Sequence, residues 1–108
     1  MKSLSETLES IKLNISAAAK KSGRDASDVQ IVAVTKTHSE DVVVEAWENS
    51  LNIVGENKVQ EAMWKKLRSP SGLEWHLIGH LQTNKVRQAL ETFDFIHSVD
   101  SLKLIKKI

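Results

Sequence analysis

The chain has 108 residues, 41% of them hydrophobic and 27% charged, and contains no cysteine. That length supports one small domain with a modest core, and the lack of cysteine excludes disulfides, thiolate metal sites and a cysteine nucleophile. The 15 Lys and Arg against 14 Asp and Glu leave a formal net charge of +1, so there is no electrostatic case for nucleic acid or an anionic membrane as partner.

The N-terminus, Met1 to Glu6, is polar and lacks the apolar core of a signal peptide. No apolar run approaches the roughly 20 residues needed to span a bilayer. A cytoplasmic protein is expected.

Leu4, Leu8, Ile11, Ile15 and Ala18 recur at steps of four and three, which predicts a leading helix over about residues 3–22. Ser3 with Glu6 forms a capping box at its start, and Gly23 suits its end. The period then changes. Residues 29–34 (VQIVAV) are short and β-branched, as in a strand buried on both faces of a parallel sheet. Ser39 can cap a second helix with Val43, Ala46, Trp47 and Ser50 inward. Residues 51–54 read as a second strand. A helix over 57–68 follows, with Val59, Ala62, Met63 and Leu67 inward. Pro70, Ser71 and Gly72 make a loop. Residues 73–78 read as a third strand, 83–91 as a helix and 94–97 as a fourth strand, with Asp100 capping a last helix from about Ser101.

These strands start near residues 31, 52, 74 and 94, at spacings of 21, 22 and 20. Repeated strand–helix units imply parallel strands joined by right-handed crossovers. An open doubly wound sheet would switch strand order, often beside a Gly-rich phosphate loop, and neither a GxGxxG nor a Walker motif is present. The pattern therefore favours an α/β fold of the parallel β/α (TIM-type) barrel kind. It is truncated to about four βα units, starting near 29, 51, 73 and 94, behind the leading helix. Residues 1–108 form a single partial domain, since a full barrel needs eight units.

Barrel sites lie at the C-terminal ends of the strands. The residues there are Thr35, Lys36, Thr37 and His38; Gly55, Glu56, Asn57 and Lys58; Gly79 and His80, with His76 inside the strand; and Ser98, Val99, Asp100 and Ser101. Burial of Lys36 at a barrel mouth would disfavour its ammonium form and leave an amine able to attack an aldehyde. Periodicity alone favours a plainer reading, a lysine whose head reaches solvent. Gly55 and Gly79 fit tight turns, and Asn57 fits a helix cap or a cofactor contact. His76 and His80 stand four apart, but across a strand end and a glycine, so no metal site is expected. Trp47, Trp64 and Trp75 read as packing residues, and Lys65, Lys66 and Arg68 as a solvated helix face. Lys85 reads as solvated too.

Four strings nonetheless resemble one family. Residues 31–37 (IVAVTKT) are similar to the strand that carries the cofactor lysine in the pyridoxal phosphate homeostasis proteins, the YggS/PROSC family. Residues 54–61 (VGENKVQE), 75–85 (WHLIGHLQTNK) and 97–101 (HSVDS) resemble its other signatures, in family order. The resemblance implies a barrel related to the N-terminal domain of alanine racemase. It also implies pyridoxal 5′-phosphate as cofactor, held covalently as a Schiff base on Lys36, with Asn57, His76 and Ser98 lining the mouth and no catalytic or metal residues. The implied role is non-catalytic, in vitamin B6 homeostasis. Thr35, Leu77 and Lys58 depart from the family pattern without removing a group that Schiff-base formation requires.

The family's later phosphate-binding loops are not in this sequence, which implies weak binding by this chain alone. The alternatives are a racemase- or decarboxylase-like enzyme, or a half-barrel that binds no ligand. A racemase needs a second acid/base, typically Tyr, and the chain has none. Four open strands would also leave an edge and a face uncovered, so self-association or pairing with a missing C-terminal half is expected.

Overall fold

The computed structural model describes residues 3–36 and 39–108. Thr37 and His38, named above after the first strand, lie outside the described residues. The chain forms two compact units, one ending at Ile31 and the other spanning Val32–Ile108.

The first unit is built on α1, Leu4–Lys21. The Ser3 hydroxyl accepts the Glu6 N–H at 3.2 Å, which satisfies one of the helix's orphan donors. At the other end Gly23 adopts φ +73°, and Arg24 N–H reaches back to the Ala19 carbonyl at 2.8 Å. Glycine takes this left-handed turn at no steric cost. The buried residues of α1 are Leu8 and Ala19, while Ile11 is 41% exposed, so the stripe closes on Ala19 rather than on the expected Ala18. A 3₁₀ turn, Ala26–Asp28, follows from the Asp25 carboxylate accepting Ser27 N–H at 3.2 Å.

The second unit alternates strands and helices: β1 Ala33–Val34, α2 Glu40–Glu48, β2 Ile53–Glu56, α3 Val59–Leu67, β3 Glu74–Leu77, α4 Val86–Thr92, β4 Phe95–Ile96 and α5 Leu102–Lys107. The strands lie in the order β1-β2-β3-β4 and every pair is parallel. This is an α/β architecture in which neighbours in sequence are neighbours in the sheet, without the reversal expected of a doubly wound fold. Register sets the two faces. Val34, Gly55, His76 and Phe95 form one cross-strand row. Alternation turns Ala33, Val54, Trp75, Leu77 and Ile96 to the opposite face.

That opposite face is the core. Val54, Trp75 and Leu77 are buried with Val43 from α2, Val59 and Ala62 from α3, Val86 and Ala89 from α4, and Leu104 from α5. Each such Val or Leu side chain, fully removed from water, contributes about 1.5–3 kcal/mol.

Several packing expectations are corrected. Of the three tryptophans only Trp75 is in the core. Trp64 is 49% exposed beneath the Arg68 guanidinium, 3.8 Å from the ring centre. Trp47 is 38% exposed and its ring lies against Gly72, where a Cβ would stand 3.1 Å away. Ser50 is exposed because it turns α2 off with φ +65°. Leu67 is 84% exposed; at about 100° per residue it sits far round α3 from the buried Ala62. Ser101, not Asp100, caps α5, accepting Leu104 N–H at 3.1 Å. No helix among the described residues is long and apolar enough to cross a membrane.

Candidate functional site

The site is the C-terminal edge of the sheet. β1 ends at Val34, and Thr35 N–H still donates to the Gly55 carbonyl at 3.0 Å. Ile78 N–H donates to the Glu56 carbonyl at 2.9 Å and His97 N–H to the Leu77 carbonyl at 2.9 Å, which carries the register past the formal strand ends. Two residues along the chain beyond the Val34–Gly55–His76–Phe95 row stand Lys36, in a turn, Asn57, in a bend, Ile78 and His97. His76 belongs to the row itself, and Ser98 follows His97. Lys36 is exposed, Asn57 and Ser98 are half-buried, and His76 is buried.

His76 meets its neighbours across the sheet. Its Nδ1 lies 2.8 Å from His97 Nε2, so one ring donates and the other accepts. The ring stacks on Phe95 with centroids 4.6 Å apart. The other nitrogen, Nε2, is buried without a hydrogen-bond partner, since Glu74 at 3.7 Å is too far for one. His80 instead pairs with Asp100 at 3.1 Å. The two histidines four apart thus go to different partners. Among the described residues no group of three or more His, Asp or Glu could hold a metal ion.

Asn57 is held by a close backbone approach. A Cβ on Gly79 would stand 2.7 Å from the Asn57 carbonyl oxygen and 2.9 Å from its Cα, so only glycine fits there. Asn57 is not the cap of α3; that position is Lys58, which makes no side-chain cap bond. A cleft of about 450 Å³ opens beside Asn57, lined also by Gln60, His80, Gln82 and Lys85. Lys85 therefore borders a cavity rather than only solvent.

Lys65, which the sequence reading assigned to a solvated face, lies just beneath this edge beside the strand-end Glu56. Glu56 is 0% exposed and Lys65 is 2% exposed. Lys65 Nζ donates to both Glu56 carboxylate oxygens, at 3.0 and 3.1 Å, and to the Thr35 carbonyl at 2.7 Å. It also pairs with Glu61 at 2.9 Å. The buried Thr35 hydroxyl donates to the Glu56 carboxylate. The solvated-face reading fails for Lys65 because Val59, Ala62 and Lys65 share one stripe at steps of three. That spacing was the available signal. His97 was not singled out because its place beside His76, on the neighbouring strand, emerges only from the pairing of β3 with β4.

No family model matches the chain. Among curated proteins it is 37% identical over 113 residues to the pyridoxal phosphate homeostasis protein of Vibrio cholerae, covering 100% of this chain and 48% of that one. It is 38% identical over 109 residues to the protein of the same name from Pseudomonas aeruginosa, covering 100% and 47%. Among solved structures, PipY of Synechococcus elongatus without PLP superposes with a TM-score of 0.80 at 38% identity, covering 97% of this chain and 45% of that one. PipY with PLP bound matches at 0.69 and 47%, covering 73% and 38%. The chain spans about half the length of the curated relatives it matches. Along its whole length, this chain is thus homologous to about half of a pyridoxal phosphate homeostasis protein.

Proposed function

We propose that the chain is the part of a pyridoxal 5′-phosphate homeostasis protein that carries the cofactor's attachment point, Lys36. The architecture we infer is a TIM-type barrel of which these four βα units are the described portion. The observation that carries the reading is the position of Lys36. It is an exposed amine at the C-terminal end of a strand, in a parallel sheet of sequential order, where barrel sites lie.

The residues fit the cofactor in three respects. Lys36 offers a reachable primary amine. Asn57 follows the end of the neighbouring strand β2 and offers an amide that can donate and accept. His76 brings a buried nitrogen without a hydrogen-bond partner to the same face. Ser98 adds a half-buried hydroxyl just past β4. When bound, the cofactor supplies an aldehyde carbon that condenses with a primary amine, releasing one water. Lys36 is the amine, while Asn57, His76 and Ser98 orient and shield it.

The role is binding rather than turnover, in the cytoplasm, with the chain alone holding the cofactor weakly. A second copy, or further chain, covers the open sheet face. The decisive experiment is borohydride reduction in the presence of pyridoxal 5′-phosphate, followed by mass mapping. The adduct is expected to concentrate on Lys36 and to vanish in Lys36→Ala. Labelling spread evenly over exposed lysines, and unchanged in that variant, would sink the reading.

A further inference from the structure

We infer that Glu56 and Lys65 are positioning residues for Lys36, acting through the main chain of Thr35; this rests on the reading of Lys36 as the attachment lysine.

β1 contributes only two paired residues, so the ladder alone grips its end weakly. The polar groups of Thr35, immediately before Lys36, are nevertheless all engaged. Its N–H donates to Gly55 at 3.0 Å, its carbonyl accepts Lys65 Nζ at 2.7 Å, and its hydroxyl donates to Glu56. Glu56 is itself the residue before Asn57, and its carbonyl accepts Ile78 N–H at 2.9 Å. One buried cluster therefore ties down the residues that precede both Lys36 and Asn57. The three N–H groups of Lys65 match three acceptor groups: the Thr35 carbonyl, the Glu56 carboxylate and Glu61.

Stability does not require ions here. Taking two charges out of water is costly, and apolar residues of similar volume often hold a core as well or better. What an apolar pair cannot supply is a directed donor to one carbonyl. The cluster supplies that donor at the residue before Lys36, on a strand end whose ladder is only two pairs long.

The test is the double variant Glu56→Leu with Lys65→Met in the 108-residue chain, which removes the directed bonds without stranding a buried charge. The fold is expected to persist with a lowered melting temperature, since the buried Thr35 carbonyl loses its donor and the hydroxyl keeps only the Gly55 carbonyl. The Thr35 amide is expected to exchange with solvent about tenfold faster, the loss of about one charge-assisted hydrogen bond. Pyridoxal 5′-phosphate is expected to label Lys36 about tenfold more slowly, with labelling of the exposed Lys12 unchanged. Unaltered Thr35 exchange would overturn the inference. So would a double variant that fails to fold, because it assigns the pair to stability. If the unmutated chain labels Lys36 no faster than Lys12, the reading of Lys36 as attachment point falls instead, and Thr35 exchange alone decides whether the pair holds the strand end.

Discussion

The two faces of the sheet follow different rules. The helix-facing side is closed: Val54 and Leu77 are 0% exposed and Trp75 is 1% exposed. The other side is open at both ends, with Val34 51% and Phe95 52% exposed, and its interior holds His76 with an unpartnered nitrogen. The closed face has the three crossover helices α2, α3 and α4, and α5 after the last strand, against it. Most apolar burial therefore sits on the helix side, with Ile53, 4% exposed, as the exception on the other.

Four substitutions break or sharpen this contrast. The largest effect is expected from Leu77→Ala on the closed face, a loss of about 2–5 kcal/mol in chemical denaturation. Its counterpart on the open face, Val34→Thr, should stay within about 0.5 kcal/mol of the parent. Equal costs would mean that the open face is covered in solution, and sedimentation at several concentrations would identify a second copy as the cover. Gly79→Ala tests the seam between the faces. Its methyl would meet the Asn57 backbone at 2.7 Å, and the forced shift should cost about 1–3 kcal/mol. The amide resonances of Asn57 and its neighbours should move with it, and an unshifted Asn57 would contradict the packing. One effect is a gain. Ser50 closes α2 at φ +65°, with Leu51 N–H bonded to the Ala46 carbonyl at 2.9 Å, a turn that favours glycine. Ser50→Gly should raise stability by about 0.5–1 kcal/mol, seen as a higher melting temperature.

Much of this was legible in the sequence because the signals were local. The cap at Ser3, the stop at Gly23, and the alternation of short apolar runs with helical stripes depend on neighbours a few residues apart. Four parallel strands in sequential order follow from them. The strand lengths did not follow. Residues 29–34 read as one apolar run, yet only Ala33 and Val34 pair, and Val29 N–H is taken instead by the Ala26 carbonyl of the preceding turn. Partners distant in sequence were equally hidden. Lys65 looked like part of a basic surface cluster, and only the stripe with Val59 and Ala62 distinguishes it from Lys66. Trp64 looked like core, yet its own helix neighbour Arg68 covers it instead.

The burial of Lys65 has a consequence for chemical selectivity. Two lysine side chains belong to the end of β1: Lys36, which continues the chain, and Lys65, which reaches it from α3. Lys65 is 2% exposed with its Nζ donating to three acceptor groups, so an electrophile diffusing in from water finds no approach path there. Lys36, by contrast, is exposed. The fold thus sets two side chains of one chemical type, in one neighbourhood, apart by solvent access.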